Sequence, residues 1–236
     1  MEALVATNTQ VKNDHESFVY MAAHDLRSPL MSVKGLIYLM QLDSEKEHLQ
    51  SYFGLLEKSV DRMNQAISDI ISHSQNGTDE IELESVDFKE IAEESINYLQ
   101  YMVGADLVRI TLSTEDGGLF FSNRKKLISI FCNIISNAIR YHDETKDSFL
   151  KINVTFNSEG CQTIFEDNGI GIDEEIQTKV FEKFFLVTPD QGGSGIGLYT
   201  VKESIEKLGG NIHLRSKLGK GTTFVIQIPN LIAQMG

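Results

Sequence analysis

Apolar residues near the start of the chain fall at Phe18, Ala22, Leu26, Pro29, Val33, Ile37 and Met40, the three-and-four spacing of one helical face. A short polar break, QLDSEKEH, follows at 41–48. A second stripe runs through Leu49, Phe53, Leu56, Val60, Met63, Ile67, Ile70 and Ser74. Its steps alternate four and three residues, as in a coiled-coil seam. Two long helices with a short connection predict an antiparallel hairpin. Two helices alone bury little, so the pattern predicts a dimeric four-helix bundle. A hairpin packed on the chain's own second half is the alternative.

The period then changes. SHSQNGTDE (72–80) is polar with Asn-Gly at its centre and marks a linker, dividing the chain into residues 1–77 and 78–236. VDFKEIAEESINYLQYMV reads as a helix with a strand-like lead-in, and VRITLS and LFFSN read as strands. RKKLISIFCNIISNAIRYH is a helix with a thick apolar face. FLKINVTFN and CQTIFEDNG alternate as neighbouring strands. DEEIQTKVFEKF predicts a short helix capped by Asp173, and GIGLYTVKESIEKLGG a helix ending at a glycine C-cap. NIHLRSK and GTTFVIQIP close as a hairpin. Helices and strands mixed without βαβ regularity predict an α+β fold, a sandwich with helices on one face of a sheet.

Composition narrows the partners. A chain of 236 residues with 41% hydrophobic residues can build one large domain or two small ones. Its formal charge of −13 argues against nucleic acid, because phosphate backbones demand Lys and Arg. A nucleotide needs only a local pocket and stays open. Cys132 and Cys161 lie in no CxxC or Cys/His cluster, so both are expected as buried, reduced thiols. No apolar run is long enough to span a membrane, and the first residues carry no signal-peptide pattern. The expected location is cytoplasmic, and a piece of a longer protein would read the same.

One stretch breaks the local rules. HDLRSPL (24–30) sets His24 beside Asp25 with Pro29 five residues on. Counting about 100° per residue from Phe18, the first stripe centres near roughly 45° and His24 falls at roughly 240°, nearly opposite it. Ser28 lies about 40° from His24, one turn further on. Both are expected to face solvent, with Asp25 alongside. Pro29 removes a backbone donor and crowds the Asp25 carbonyl, at a cost of about 3 kcal/mol in a helix interior. The helix is therefore expected to bend just beyond His24. A neutral, exposed imidazole is a competent nucleophile, and an adjacent carboxylate can hold or take its proton.

Three stretches of the second half suggest one nucleotide site. In NIISNA, Asn133 and Asn137 share a helical face and suit Mg²⁺ and phosphate; Mg²⁺ takes oxygen ligands and shares them with substrate phosphates. In EDNGIGID, Asp167 at a strand end can accept from an exocyclic amine such as adenine N6, and Gly169 and Gly171 admit close backbone approach. A strand-to-helix turn uses the same residue types. In GGSGIGL, Gly192, Gly193, Gly195 and Gly197 open a helix, where backbone N–H groups bind phosphate. No Gly-Lys-Ser/Thr follows, so this is not a Walker loop, and no βαβ unit surrounds it.

HDLRSPL, NIISNAIRY, DNGIGI, FEKFF and GGSGIGL, in that order, resemble the H, N, G1, F and G2 boxes of the sensor histidine kinases of two-component signalling. The resemblance spans roughly residues 18–228. It implies a dimerisation and histidine-phosphotransfer hairpin followed by a catalytic ATP-binding domain of the GHKL type. It implies ATP and Mg²⁺ as cofactors, a response-regulator receiver domain as partner, and a homodimer through the hairpin. His24 would take the γ-phosphoryl group, Asp25 would be its acid/base neighbour, and Ser28 would orient water for dephosphorylating the regulator. Asn137 would ligate Mg²⁺ with Asn133 nearby at the phosphates, and Arg140 and Tyr141 would meet phosphate and adenine. Asp167 would bind adenine N6, supported by Thr222. Gly193, Gly195 and Gly197, with Leu198 beside them, would form the hinge and phosphate contact of a mobile lid. Phe181, Phe184 and Phe185 would pack at its base.

The chain departs from the family's pattern in its lid and at Asn123, and at Ser28 it has serine where the family often has Thr or Asn. The lid segment Leu186 to Gln191 is short and has no basic residue, so Lys183 and Arg140 would supply the cation near the γ-phosphate. Asn123 stands where many relatives carry Asp. Hydrolytic ATPases of the same superfamily place a glutamate where this chain has Asn133, which argues against simple ATP hydrolysis. A nucleotide-binding scaffold that transfers nothing is the non-enzymatic alternative.

Overall fold

The computed structural model describes residues 26–42, 48–76, 82–115, 117–158, 160–187 and 195–231. The chain divides into two compact units, one ending at Ile71 and the other beginning at Ser72.

The first unit is helical. Helix α1 covers 26–42 and α2 covers Leu49–Asn76. In α1 the less exposed positions are Leu26, Pro29, Val33, Leu36 and Met40; in α2, Gly54 aside, they are Leu49, Tyr52, Leu56, Ser59 and Met63 among the described residues. Both series alternate three and four, so the seam expected from the sequence is present but shifted by one residue at alternate steps. Ile37, Phe53, Val60 and Ile67 remain 45–52% exposed. Ser59 is buried because its hydroxyl donates to the Leu55 carbonyl at 2.8 Å and so carries no unmet polar group inward. The helix also continues to Asn76, through half of the stretch expected as linker, because nothing before Gly77 breaks it.

In the second unit, strands β1 (Glu84–Ser85) and β3 (Phe121–Ser122) form a small antiparallel pair. The main sheet joins β2 (Val108–Thr114), β4 (Ser148–Asn157), β5 (Gly160–Asp167), β6 (Asn211–Lys217) and β7 (Gly221–Ile228) in the order β2-β4-β5-β7-β6. Helices α3 (Phe88–Leu99), α4 (Arg124–Arg140) and α5 (Gly197–Lys207) complete it. The β2–β4 pair is parallel with α4 in the crossover, a single βαβ-like connection that sets no regular repeat; the other pairs of the main sheet are antiparallel. LFFSN pairs with β1 rather than with its predecessor β2.

Alternation in the strands sets one face inward: Leu150, Ile152 and Val154 of β4, Phe165 of β5, Phe224, Ile226 and Ile228 of β7. They share a core with Ile91 of α3, with Leu127, Ile130, Phe131, Ile134 and Ile135 of α4, and with Val201 and Ile205 of α5. Phe131 packs edge-on against Phe165 with ring centres 5.0 Å apart, tying α4 to the sheet. Phe88, Phe120 and Phe156 form a second edge-to-face group.

The helix ends follow from local chemistry. Asp87 caps α3 by accepting from the backbone N–H groups of Lys89 and Glu90, and Asn123 caps α4 by accepting from Lys126. Arg124 bridges to Glu90 at 3.1 Å and Glu94 at 2.7 Å, joining α4 to α3. After α5, Gly209 takes φ 72° and its N–H reaches the Glu206 carbonyl, the expected glycine cap. The stretch after Asp173 is not one helix. It makes two 3-10 turns, Glu174–Ile176 and Lys179–Phe181, with Asp173 accepting from the Glu175 N–H. The Gln177 side chain donates to the Ile172 and Ser216 carbonyls there, a tertiary tie that replaces a longer helical ladder. Cys161 is buried, and burial pushes its thiol up to about 12. Cys132 is partly exposed, against expectation, because it lies beside the fully inward row of α4 rather than on it. No helix among the described residues is long and apolar enough to cross a membrane.

Phe131→Ala would empty the centre of the aromatic contact between α4 and β5. It is expected to lower unfolding free energy by about 3–5 kcal/mol, read by urea denaturation.

Candidate functional site

The site begins where β5 ends. Asp167 is the last strand residue, and its Oδ1 accepts from the Gly169 N–H at 2.9 Å and the Thr222 N–H at 3.1 Å. Thr222 is brought there because β5 and β7 are antiparallel, with Glu166 opposite Thr223. Oδ2 takes no hydrogen bond among the described residues, so it is available to a donor from outside the protein. Burial raises the Asp167 pKa, and the two backbone donors and Lys146 pull against that.

The loop after Asp167 is packed against the protein's own backbone. The Ile170 N–H donates to the Tyr141 carbonyl at 3.0 Å, and the Gly219 N–H to the Ile170 carbonyl at 2.7 Å. A Cβ on Gly169 would lie 2.3 Å from the Tyr141 oxygen. One on Gly171, at φ 69°, would lie 2.1 Å from the Lys217 oxygen. These glycines are required by close backbone approach. Below them, Ser216 Oγ donates to the Gly221 carbonyl and accepts from the Ile172 N–H, which leaves the Thr222 hydroxyl to donate to it at 2.9 Å.

Helix α4 carries the second group. Asn133 is buried and its amide donates to the Ser129 carbonyl at 2.8 Å. That fixes its Oδ1 against the start of α5, where a Cβ on Gly197 would lie 2.8 Å from it. One turn on, Asn137 is half-buried and its side chain has no hydrogen-bond partner among the described residues. Arg140 and Tyr141, at the end of α4, are half-buried, and Arg140 makes no ion pair among the described residues. Asn137 to Tyr141 thus lie between the loop after β5 and the start of α5.

Helix α5 supplies the third group. Its N-cap, Ile196, offers no side-chain acceptor, so the first-turn N–H groups around Gly197 and Leu198 have no side-chain cap. Leu198 packs against the core from the same turn. Gly195 has φ 68°, and a Cβ there would lie 2.5 Å from the Phe184 carbonyl carbon. Phe184 itself has φ 68°, and its N–H donates to the Gly195 carbonyl at 2.9 Å. The chain therefore closes on itself at Phe184 and Gly195, with 188–194 lying between. Phe185 is half-buried, Phe181 packs edge-on to Phe224, and the Lys183 ammonium lies 4.8 Å from the Tyr199 ring centre on α5.

His24, Asp25 and Gly193 lie outside the described residues. Ser28 is exposed on α1, in the first unit, and its carbonyl accepts from the Ser32 hydroxyl. Around the loop after β5, sequence reasoning missed Lys146, Asp143 and Asn168. Asn168 braces the loop through the Phe149 N–H and the Asp147 carbonyl. Asp143 accepts from Thr145 Oγ1 at 2.6 Å and pairs with Lys146 at 2.9 Å. These contacts hold its carboxyl down at about 2. The only sequence signal was a pair of opposite charges three residues apart in a turn. No cluster of three His, Cys, Asp or Glu suited to a metal is present among the described residues. A cation here would rest on amide and ligand oxygens, and the unpartnered Asn137 amide fits that role.

Comparison with known proteins adds two family matches. Residues 122–232 match the histidine kinase-, DNA gyrase B-, and HSP90-like ATPases, and residues 14–78 match the His Kinase A (phospho-acceptor) domain. The chain is 31% identical over 228 residues to the methanogenesis regulatory histidine kinase FilI of Methanothrix harundinacea, covering 93% of this chain and 25% of that protein. It is 28% identical over 242 residues to the sensor protein kinase WalK of Staphylococcus epidermidis, covering 98% of this chain and 39% of that protein. The chain thus spans well under half the length of these relatives. Among solved structures, histidine kinase ThkA in complex with response regulator protein TrrA is similar with TM-score 0.68 and 19% identity, over 95% of this chain and 64% of that one. Full-length ShkA in complex with AMPPNP is similar with TM-score 0.61 and 20% identity, over 91% of this chain and 45% of that one.

Asp143 carries a pH signature. Its folded-state pKa lies below the ordinary 3.8, so its stabilising contribution is present above that value and is lost as pH falls toward about 2. Asp143→Asn is expected to flatten the melting temperature between about pH 4 and 2 relative to wild type, read by thermal circular dichroism.

Proposed function

We propose that this chain, which belongs to the sensor histidine kinases of two-component signalling, transfers the γ-phosphoryl group of ATP to His24 and then to an aspartate of a response-regulator receiver domain. The observation that carries the ATP reading is the Asp167 carboxylate. One oxygen is held by two backbone N–H groups, and the other is free to accept from an exocyclic amine. An adenine N6 supplies that donor.

The rest of the nucleotide follows α4. From Asn133 to Tyr141 the helix rises about 12 Å, enough to lay base, sugar and phosphates along one side. The N–H groups at the start of α5, which have no side-chain cap, donate to phosphate oxygens. Asn137 is the residue that would hold Mg²⁺ against the phosphates, with Asn133 nearby at the phosphates. The ion would neutralise charge on the transferring group. Arg140 and Lys183 add positive charge, and Tyr141 stands near the base. Asn133 is an amide already bound to the Ser129 carbonyl, so it is no base for activating water. Hydrolysis is therefore not the principal outcome.

In the proposed phosphotransfer hairpin, residues 1–77, the His24 ring nitrogen attacks the γ-phosphorus in line. The N–P bond forms as the bond to the β,γ-bridging oxygen breaks, and ADP leaves. Asp25 takes or holds the imidazole proton. Catalysis is then chiefly positioning by residues 78–236. Ser28, exposed four residues beyond His24, orients water when the regulator is dephosphorylated. Ile37, Phe53, Val60 and Ile67 leave a second apolar stripe open, and a second copy of the hairpin would cover it in a homodimer. ATP supply places the reaction in the cytoplasm.

The test uses γ-labelled ATP and Mg²⁺ with wild type, His24→Gln and Asn137→Ala. Acid-labile, base-stable label is expected on wild type and on neither variant. Label persisting on His24→Gln, or none on a wild type that binds ATP, would contradict the proposal.

A further inference from the structure

Lys146 is the most heavily engaged side chain near Asp167, and the phosphoryl-transfer chemistry above makes no use of it. Its ammonium donates to the backbone carbonyls of Asn168 at 3.0 Å, Gly169 at 3.3 Å and Gly219 at 3.0 Å, and pairs with Asp143 Oδ2 at 2.9 Å. A lysine has three N–H donors, and here they meet four acceptors. Two of the carbonyls belong to the loop after β5, and the third to the turn between β6 and β7.

The consequence lies in the geometry of single peptide groups. The Asn168 carbonyl and the Gly169 N–H are the two ends of one peptide plane. No cis peptide is present among the described residues, so they point to opposite sides. Lys146 grips the carbonyl side, and Asp167 Oδ1 takes the N–H side at 2.9 Å. That plane cannot turn without breaking one of the two bonds. The Gly219 carbonyl is gripped in the same way: the N–H of its peptide plane, that of Lys220, donates to the Lys217 carbonyl at 2.8 Å, and the neighbouring Gly219 N–H donates to the Ile170 carbonyl. This registers the turn that leads, three residues on, to Thr222 and its N–H on Asp167. Asp143, locked by Thr145, completes the anchor.

We infer that Lys146 is a positioning residue for nucleotide selection: by pinning the Asn168 and Gly219 carbonyls, it aims the Gly169 and Thr222 N–H groups at Asp167 Oδ1 and so holds Oδ2 where the exocyclic amine of adenine arrives. This role rests on the ATP reading given above. It makes Lys146 a determinant of which purine is bound rather than of whether phosphates are bound, because the phosphate-binding start of α5 makes none of the contacts through which Lys146 acts.

The test compares binding of ATP with binding of purine riboside triphosphate, which lacks the exocyclic amine, by calorimetry with Mg²⁺. The proteins are wild type, Lys146→Met and Lys146→Gln, the last keeping N–H donors without the charge. Wild type is expected to prefer ATP on the order of tenfold, and Lys146→Met to retain less than about threefold preference with purine riboside triphosphate affinity nearly unchanged. A folded Lys146→Met that binds both nucleotides more weakly with the preference intact would overturn the inference, since that is what general loosening produces. If Lys146→Met does not fold, the same ratio read on Lys146→Gln decides: a fall supports the role, and an unchanged ratio overturns it. A wild type that binds both nucleotides alike would instead overturn the adenine reading at Asp167, and the role of Lys146 with it.

Discussion

A half-buried carboxylate at the end of a strand is costly unless its charge is met by donors. Asp167 meets this by accepting from two N–H groups that are two and fifty-five residues away in the chain. Much of the site depends on that arrangement. The Gly169 donor requires the tight turn after β5, and the Thr222 donor requires the antiparallel register of β5 and β7. The turn donates its Ile170 N–H to the Tyr141 carbonyl, which lies where a side chain on Gly169 would not fit. Because Tyr141 ends α4, the same contacts place the helix that carries Asn133, Asn137 and Arg140.

The electrostatics of the site are local. A chain with a formal charge of −13 has no excess of cations to spend on phosphate. It presents backbone N–H groups, neutral amides and a few cations, Arg140 and Lys183 among them. Lys146, the cation nearest Asp167, is consumed by backbone carbonyls and by Asp143. It works on the shape of the loop and on the charge of Asp167 together, which is why its removal is expected to alter base selection.

Much of this fold was legible in the residue pattern. Alternation marked β4, β5 and β7, and the thick apolar face marked α4, because both periods are written directly into burial. Asp167 stood out as an acid followed by glycines at a strand end. What was not legible depended on contacts between distant residues. The seam of the first unit shifted because Leu36 and Ile37, or Tyr52 and Phe53, are both apolar and periodicity does not choose between neighbours. At Ser59 and Val60 hydrophobicity chose the wrong one, since a serine bonded to its own helix is cheap to bury. The two 3-10 turns after Asp173 hold through Gln177, which bonds to carbonyls of Ile172 and of Ser216, far along the chain. Lys146 gave no more than an opposite charge three residues before it, because its other three acceptors are backbone carbonyls, which no sequence pattern displays.

One carboxylate, held by the protein on one oxygen, receives the nucleotide on the other. Titrating ATP and Mg²⁺ into Asp167→Asn and wild type by calorimetry tests it most directly, with melting temperatures taken alongside. The substitution keeps an oxygen for Gly169 and Thr222 but turns the free acceptor into a donor, so the expected result is a folded protein whose ATP affinity falls at least about tenfold. A folded Asp167→Asn that binds ATP as tightly as wild type would contradict it.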